Sequence, residues 1–556
     1  MTVRIRTTSS ESGRLRLVYN QIALRFLWVV AAFPALLLCA LPLRAQSPAA
    51  VGQTLLVVPF ENQSKAPGLQ WIGDSFPELL QERLNSPTLY VLSREERVHA
   101  YDRLGIPVDL RPSRATLYRI AEQLDVDYVL LGQYNFDGRM FTTHAQLLDM
   151  HHEHLLPEMI ESGPLIELID IQTALSWDLL HTLNPGVGLS REVYLAQAPP
   201  VRLDAFENYI KGTIDPRVEN QVQHFREAVR LNPAYPEATL QLGKAYFRQR
   251  QYDAAMSWLS HVPEGDPRAS EANFYLGLAA YYKGDFQRAE SAFAVVAGRL
   301  PLSEVYNNLG VVVDHRDARS AVEYFRKAVE EDPNDSDYRF NLGVELYHAG
   351  DLAGASRQLR EALSLKPGDN DASLLLDNLP GAGQRGVVPA SSKLPSLRIR
   401  SNYDEGSFRQ LALKIEAAAE QKLAKTDPRT HSQFHSDRGR QLLNQGFVPA
   451  AEHEFREAVT LNPANAEAHA GLAGVLEASN DLSGARSEAE EALRLRQFAE
   501  PLLVLARPDL RDNRVEAAAE EVDRALRLDA NNTAAQALKR SVAAKLAQEA
   551  QPLPNR

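Results

Sequence analysis

The 556-residue sequence contains a single cysteine, Cys39. Disulfide bonds within the chain are therefore excluded, and so is a zinc site built from several cysteines. The zinc-protease motif HExxH, in which two histidines and a glutamate share a helix, is also absent. From these absences we predict no metal site and no bound cofactor.

Runs of lysine and arginine interleaved with aromatic residues are absent as well. Acidic residues outnumber basic residues by 72 to 60, which gives a formal net charge of −12. Because the phosphates of a nucleic acid would be repelled by such a chain, we predict no nucleic-acid partner. With 44% hydrophobic and 24% charged residues, the composition is that of an ordinary globular protein and not of a disordered one.

The amino terminus has the pattern of a targeting segment. Five arginines precede an apolar stretch over residues 26–41, namely Arg4, Arg6, Arg14, Arg16 and Arg25. A small residue suited to signal peptidase follows in Leu43-Arg44-Ala45, so we predict a signal peptide over residues 1–45 and an exported protein, periplasmic or associated with the cell envelope. The stretch is shorter than the roughly 20 residues of a membrane span. An uncleaved anchor is the alternative, and the only membrane attachment that we predict.

Between Pro233 and Pro367 the sequence repeats at an interval of about 34 residues. Four units open with the pairs Leu242-Gly243, Leu276-Gly277, Leu309-Gly310 and Leu342-Gly343. Each unit continues with an alanine and a large apolar residue and closes with a proline. Glycine and alanine let two helices approach closely, and proline stops the second helix. The period therefore predicts stacked helical hairpins, a type of fold that acts mainly as a binding surface.

This pattern resembles the tetratricopeptide repeat (TPR) family. The family's tryptophan is replaced at the fourth position by Thr239, Asn273, Tyr306 and Arg339. A weaker second set follows a break and is marked by Gly439, Leu442, Ala451, Phe455, Ala458 and Pro463. We count eight units in two arrays, residues 204–372 and 431–546, and the resemblance implies protein or peptide partners.

Residues 52–186 have a mixed pattern that predicts a small α/β sandwich. The apolar, β-branched run over residues 54–60 is typical of a central strand, and helical spacing follows from Ile72 to Leu84. Asp137-Gly138 lies between two alternating runs and predicts a tight hairpin. Overall, we predict an α+β chain: this domain, followed by two all-α solenoid arrays.

Several stretches of this domain resemble the TolB amino-terminal, FlgO and CsgG-like envelope domains, namely VVPFEN, WIGDSFPELLQERL, LSREER and DYVLLGQYNFDG. The resemblance implies that the domain docks to a cell-envelope assembly by association and not by catalysis. The long amphipathic hairpins of the pore-forming members have no counterpart in the sequence.

One alternative would make the chain an enzyme. Gly73-Asp74-Ser75-Phe76 resembles the nucleophile block of GDSL-type esterases, and Asp149 with His152 resembles their base block. In that family the serine follows its strand almost at once, whereas ten residues separate Phe60 from Trp71. We therefore favour Asp74 as a helix cap and Ser75 as a first-turn residue, and we predict that the protein is not an enzyme.

Two further motifs have simpler explanations. The hexapeptide at 381–386 matches the dinucleotide fingerprint, but prolines flank it where a strand and a helix are needed, so residues 379–400 are predicted as a linker. His151, His152 and His154 alternate as on a strand, yet solvated loop histidines explain them without a metal. After the linker, residues 404–426 predict a connecting helix.

In TPR arrays the first helix of each unit lines the binding groove. The positions that correspond in this sequence are rich in aromatic residues, and our predicted groove residues are Leu240, Lys244, Phe247, Arg248, Phe274, Tyr281, Tyr282, Asn307, Phe340 and Tyr347. We expect them to bind an extended or helical apolar peptide, with Lys244 and Arg248 orienting an acidic group. The function that we predict is therefore a non-catalytic exported scaffold, and the alternative is an esterase-like domain with a TPR recruitment arm.

Overall fold

The computed structural model describes residues 52–107, 112–379 and 395–549. The predicted signal peptide, with Cys39, lies outside the described residues, and so does the hexapeptide 381–386. Among the described residues, no helix combines the length and the hydrophobicity needed to span a bilayer.

The front domain is built on a mixed β-sheet. Its strands are β1 (Gln53–Val57), β2 (Glu61–Asn62), β3 (Leu89–Val91), β4 (Tyr128–Phe136), β5 (Met140–Asp149), β6 (His154–Leu155) and β7 (Met159–Pro164). β1 is parallel to β3 and β4, whereas β5 is antiparallel to β4, β6 and β7. The turn between β4 and β5 places Gly138 at a φ of 99°, a conformation that favours glycine.

Helices cover both faces of this sheet. They are α1 (Trp71–Leu84), α2 (Arg94–Leu104), α3 (Arg114–Leu124) and α4 (Leu168–Leu183). Leu55 and Val57 of β1 pack with α1 and α4, whereas Leu56 packs with α2 and α3, because successive side chains of a strand point to opposite faces. The predicted α/β sandwich domain is thereby confirmed.

Two details of the front domain differ from the sequence-based prediction. Helix α1 begins at Trp71 with Gln70 as its N-cap residue, so Asp74 is a first-turn residue and not the cap. Helix α2 was not predicted, because it is too rich in charged residues to show an apolar stripe. Its start nevertheless has a local signal, since Ser93 and Glu96 form a capping box.

A short helix, α5 (Arg191–Gln197), connects the front domain to the first array, which contains five helical hairpins and a final single helix. The hairpins are α6 and α7 (Leu203–Ile214, Val218–Leu231), α8 and α9 (Pro236–Arg248, Tyr252–Leu259), α10 and α11 (Ala269–Lys283, Phe286–Ala297), α12 and α13 (Ser303–Asp314, Ala318–Glu331), and α14 and α15 (Ser336–His348, Leu352–Leu365). Helix α16 (Asn370–Asp377) follows them. The predicted order, a sheet domain followed by helical hairpins, is confirmed.

The repeated glycines mark the closest approach of the two helices in a hairpin. A Cβ atom on Gly277 would lie 2.8 Å from the Phe293 ring, and one on Gly310 would lie 2.7 Å from the Phe325 ring. Both phenylalanines are fully buried. The glycine and the large apolar residue of each unit therefore form one packing contact, and a larger side chain at the glycine would force the helices apart.

The second array repeats this arrangement after a longer helix. Helix α17 (Glu405–Leu423) leads to the hairpins α18 and α19 (Pro428–Asn444, Val448–Leu461), α20 and α21 (Ala466–Ala478, Leu482–Leu495), and α22 and α23 (Ala499–Arg511, Val515–Leu528), followed by α24 (Thr533–Glu549). Phe455 of α19 packs against Gly439 and Gly471 and is 1% exposed. The packing contact of the first array is thus present in the second.

The front domain shares its core with the start of the first array. The Trp71 and Phe206 rings lie 6.2 Å apart, and the Tyr209 hydroxyl donates a hydrogen bond of 3.2 Å to Glu78. The segment that follows the front domain also contacts the second array, because the backbone N–H of Gly188 donates to Glu452 Oε1 at 2.8 Å. The front domain therefore packs against the first array, and the segment that follows it contacts the second.

Candidate functional site

The first helices of three successive hairpins, α10, α12 and α14, form a face that we call the groove. An extended segment of the same chain, residues 395–404, lies along this groove and has no regular secondary structure. We call it the internal peptide. Six of its residues belong to the stretch predicted as a linker, so that part of the linker is held against the first array.

Three asparagines bind the backbone of the internal peptide. Asn341 accepts a hydrogen bond from the backbone N–H of Arg398 at 2.9 Å and donates to the carbonyl oxygen of the same residue at 2.8 Å. Asn308 makes the same pair of bonds with Arg400, both at 2.8 Å. Asn307 adds a second bond to the Arg398 carbonyl oxygen at 2.8 Å.

The three asparagines are completely buried, at 0% exposure. Their amides are therefore costly to desolvate unless a peptide backbone pairs with them. Because the hydrogen bonds go to backbone atoms, this contact holds any extended segment with little regard to its sequence.

The side chains of Arg398 and Arg400 supply the sequence-dependent contacts. Arg398 donates to Asp337 at 2.7 Å and to both oxygens of Asp369 at 2.6 and 2.7 Å. Its guanidinium carbon lies 3.7 Å from the centre of the Phe340 ring. Arg400 forms ion pairs with Asp335 and Asp337. Such charge-assisted and stacked contacts are selective for arginine over lysine.

Arg398 changes the pKa of one of these carboxylates, that of Asp369. The hydrogen bonds from Arg398 hold the pKa of Asp369 below its usual value. The Asp369 side chain is only 3% exposed, so water contributes little to the solvation of its negative charge. The ion pair with Arg398 stabilises that charge instead. The acidic end of the groove therefore matches a cationic segment.

The apolar and aromatic side chains of the internal peptide also pack against the first array. Leu397 and Ile399 pack in a cluster that contains Tyr281 and Tyr347. Tyr403 lies against Phe274, with 5.3 Å between the ring centres. Apolar side chains and arginines thus alternate along the segment, and an aromatic ring follows them. This alternation suits an extended chain, because its successive side chains point to opposite sides.

The predicted groove residues fall into two groups. Phe274, Tyr281, Asn307, Phe340 and Tyr347 contact or surround the internal peptide. The other five are Leu240, Lys244, Phe247, Arg248 and Tyr282, and the ion pairs, hydrogen bonds and ring contacts of this group are made with other parts of the chain. The first group therefore supplies the hydrogen bonds and ring contacts to the internal peptide, whereas Leu240 and Phe247 only share an apolar cluster with Ile399 and Tyr403.

The charged residues of the second group are paired with other residues of the same chain. Lys244 is buried and pairs with Glu271 at 2.6 Å, while Glu95 of α2 lies 3.8 Å away. Burial lowers the pKa of Lys244, but Glu271 and Glu95 raise it by more, so the net shift is upward. Arg248 is exposed and donates to Gln221. The acidic groups that face Lys244 are thus the chain's own.

Phe247 and Tyr282 belong to a small ring cluster with Tyr252, and the Tyr252 and Tyr282 rings are stacked at 5.3 Å. Tyr282 is 45% exposed, whereas Leu240 is buried in the core. The three rings therefore pack the second hairpin of the array against the third.

The sequence analysis missed Asn308, Asn341 and the three aspartates of the groove. A signal was present, since Asn308 and Asn341 both directly precede the Leu-Gly pair of their unit. The earlier units have Gln241 and Tyr275 at that position. Because asparagine occupies this position in only two units, it is not part of the framework pattern that repeats along the array.

The proposed esterase constellation is not assembled. Ser75 is buried, its hydroxyl donates to the carbonyl oxygen of Ile72 at 2.7 Å, and it accepts from Gln172 at 2.6 Å. His152 instead pairs with Asp149 at 2.9 Å and is largely exposed. A nucleophile needs an adjacent base and an accessible hydroxyl, and Ser75 has neither.

Two further features of the front domain bring charged or metal-binding side chains together. A cavity of about 450 Å³ is lined by charged residues of both signs, among them Asp74, Arg94, Arg97 and Glu158. His152 and His154, considered above as metal ligands, lie within reach of Asp149 but are exposed. His151 pairs with Asp127 at 2.7 Å.

Comparison with known proteins supports the repeat assignment. Tetratricopeptide repeat models match residues 222–280, 259–304, 311–370 and 436–500. Both arrays therefore contain tetratricopeptide repeats. No curated protein matches the sequence significantly.

Several solved structures match part of the chain. A crystal structure of MamA is 20% identical and covers 29% of this chain and 94% of its own, with a TM-score of 0.27. MamA 41-end from Desulfovibrio magneticus RS-1 is 19% identical and covers 31% of this chain and 99% of its own, with a TM-score of 0.29. YrrB, described as a TPR protein with an unusual peptide-binding site, is 16% identical and covers 37% and 100%, with a TM-score of 0.28.

Proposed function

We propose that this protein is a non-catalytic scaffold that binds extended polypeptide segments in the groove of its first array. The observation that carries the proposal is the way the groove binds a backbone: Asn308 and Asn341 each pair with both the N–H and the C=O of one residue. The repeats in both arrays agree with a protein-binding role.

The chemistry of the partner follows from the internal peptide. A partner segment must be extended, present two arginines on one face to Asp335, Asp337 and Asp369, and place apolar side chains on the other. This replaces our expectation of a partner with an acidic group. The expectation rested on Lys244 and Arg248, but Lys244 is already paired within the chain.

Such a partner competes with the internal peptide. A segment attached by a short linker has an effective concentration on the order of 1 mM, so a free segment of equal affinity hardly displaces it. The internal peptide therefore acts as an intrachain ligand that sets a threshold for binding. A partner exceeds the threshold when it binds a second surface of the protein at the same time.

Location and docking form a second part of the proposal. The arginine-rich start and apolar stretch of residues 1–45 support export, to the periplasm or the cell envelope. The resemblance of the front domain to envelope domains supports docking to a cell-envelope assembly. Fractionation of cells that express the tagged chain tests both points: we expect processing near Ala45 and recovery in the envelope fraction, whereas an unprocessed cytosolic chain would contradict them.

The binding proposal is tested by a fluorescent peptide with the sequence of residues 395–404. In the full chain, the double substitution Arg398→Ala/Arg400→Ala weakens the binding of the internal peptide to the groove and leaves every groove residue in place. We call this protein the opened variant. We expect this variant to bind the labelled peptide at least about tenfold more tightly than the native chain, measured by fluorescence anisotropy. A matched control, Arg357→Ala/Arg360→Ala, changes two exposed arginines of α15 and should behave like the native chain.

A second arm separates groove binding from nonspecific charge attraction. Adding Asn308→Ala and Asn341→Ala to the opened variant should abolish peptide binding, because the backbone contacts are lost while the net charge is unchanged. Equal peptide binding by the native chain, the opened variant and the asparagine variant would contradict the proposal.

A further inference from the structure

Three side chains suited to metal binding converge where helix α17 meets the second array. Glu420 comes from α17, and His431 and His435 come from α18. Because the histidines are four residues apart, they lie one turn apart on the same face of the helix. All three are buried, with exposures of 7%, 9% and 3%.

The ligand atoms are already close to the spacing of a coordination shell. The two Nε2 atoms lie 3.1 Å apart, and Glu420 Oε1 lies 3.3 Å from His435 Nε2 and 2.5 Å from His431 Nε2. In a tetrahedral zinc site with bonds of about 2.0–2.1 Å, neighbouring ligand atoms lie about 3.3 Å apart. Two of the three separations match this value, and the third would lengthen by less than about 1 Å on binding.

A neighbouring carboxylate orients one of the ligands. Glu454 of α19 lies 2.7 Å from Nδ1 of His435, and its side chain is only 2% exposed. This contact holds the N–H on Nδ1 and leaves the Nε2 lone pair directed at His431 and Glu420. A histidine that donates from one nitrogen to a carboxylate and offers the other to the cluster is the usual arrangement in metal sites.

An independent observation points to a bound cation. The second carboxylate oxygen of Glu420, Oε2, is buried and has no hydrogen-bond partner among the described residues. A buried carboxylate oxygen without a donor is costly. A metal ion bound beside Oε1 would attract this oxygen too and offset that cost.

We propose that Glu420, His431 and His435 bind a divalent transition-metal ion, with Zn²⁺ as the best match to two imidazoles and one carboxylate. The fourth position is left to water. Mg²⁺ and Ca²⁺ are poor candidates, because they prefer a shell made of oxygen atoms.

The position of the site gives the ion a structural role. Helix α17 also contacts the front domain, where Leu413 is buried in the core around α2 and α3, and Lys414 pairs with Asp125 at 2.6 Å. A metal bound between α17 and α18 would therefore join a helix that is held by the front domain to the first helix of the second array. The same helix α17 directly follows the internal peptide.

The site is tested on the full chain after treatment with a chelator and dialysis. We expect one equivalent of Zn²⁺ to bind in a competition with a chromophoric chelator, and we expect the thermal midpoint to rise with added Zn²⁺ and not with Mg²⁺. Zinc X-ray absorption spectroscopy of the native chain loaded with one equivalent of Zn²⁺ should report two imidazole ligands together with oxygen ligands. This measurement needs no variant, and a shell of oxygen atoms alone would overturn the proposal.

Variants locate the ion. His431→Gln and Glu420→Gln should each lose the tight equivalent, whereas His152→Gln, in the exposed cluster with Asp149 and His154, should retain it. Glu454→Gln should weaken binding by about 10–100-fold without removing the site. Failure of the native chain to bind Zn²⁺, or binding that survives His431→Gln and disappears in His152→Gln, would overturn the assignment.

Discussion

The two arrays share a framework and differ in the side chains that a ligand would meet. Both pack a glycine of one helix against a large apolar residue of the next, as in Gly277 with Phe293 and Gly439 with Phe455. Yet α10, α12 and α14 carry eight phenylalanines and tyrosines, whereas α18, α20 and α22 carry only Phe434. The repeat period thus determines the fold, and the residues between the framework positions determine what the fold binds.

The buried polar groups sharpen this contrast. In the first array, Asn307, Asn308 and Asn341 are buried and bind a peptide backbone. In the second, His431 and His469 are buried and pair with carboxylates. The first array uses its buried polar groups to hold a segment of chain, and the second uses them to join helices.

The largest effect is expected from the shared framework. Phe325→Ala in the first array and Phe455→Ala in the second each remove a buried ring, so we expect each to reduce the free energy of unfolding by about 3–5 kcal/mol. Urea unfolding followed by circular dichroism measures both. If only one of the two substitutions reduced the free energy of unfolding, the two frameworks would not be equivalent.

A smaller effect, confined to the first array, is expected from the asparagines. Asn308→Ala removes two hydrogen bonds to Arg400, each worth about 1 kcal/mol. We expect the amide of Arg398, whose own partner Asn341 is untouched, to exchange hydrogen about tenfold faster or more, because the internal peptide is released as a unit.

Mass spectrometry of the exchanged peptides measures this release. Asn531→Ala, at an exposed asparagine of the second array, is the matched control and should leave the exchange at Arg398 unchanged. Fast exchange at Arg400 alone, with Arg398 still protected, would mean that each asparagine acts locally and that the internal peptide does not detach.

The two arrays should respond to pH in opposite directions. The pKa of Asp369 is lowered by its hydrogen bonds from Arg398, so this stabilisation is complete above the ordinary value of 3.8 and is lost as the pH falls through the lowered pKa. For His469 in the second array, burial lowers the pKa, but Glu488 raises it by more. That stabilisation is complete below the ordinary value of 6.5 and is lost as the pH rises through the raised pKa.

Hydrogen exchange at several pH values, corrected for the intrinsic rate, checks both directions. Asp369→Asn should remove the acid sensitivity of the internal peptide, and His469→Gln should remove the sensitivity of α20 to rising pH. Faster exchange of α20 in acid, with residues 398–400 still protected, would contradict both predictions.

The smallest effects are expected at the predicted groove residues that do not touch the internal peptide. Tyr282 is 45% exposed and Arg248 is exposed, so alanine at either position should change stability by no more than about 1 kcal/mol, the larger change being at Tyr282 because its ring stacks on Tyr252. Neither change should alter the binding of the labelled peptide to the opened variant. A large loss of binding in either one would extend the groove towards the front domain.

The sequence predicted the framework well because framework residues recur at a fixed period. Gly277 and Phe293 recur as Gly310 and Phe325, and each occurrence supports the others. The Asp137-Gly138 turn was equally visible, because only a few residue types adopt its backbone conformation.

The internal peptide was not predictable in this way. Its backbone contacts join residues far apart in the sequence, since 57 positions separate Arg398 from Asn341 and 92 separate Arg400 from Asn308, and no periodicity records such a pairing. The flanking glycines and prolines at 379–395 suggested a linker, and this local signal concealed the alternating pattern of Leu397–Arg400. The histidines of the second array were missed because His431 and His435 need Glu420 from another helix to form a cluster.

The most direct test asks whether residues 395–404 leave the groove when a competitor arrives. The native chain is mixed with increasing amounts of an unlabelled peptide of the same ten residues, and hydrogen exchange is followed in the chain itself. We predict faster exchange at Arg398 and Arg400 as the peptide concentration rises, with α12 and α14 remaining protected. Unchanged exchange at peptide concentrations well above the effective concentration of the internal peptide, about 1 mM, would contradict the claim that this groove binds exchangeable peptide segments.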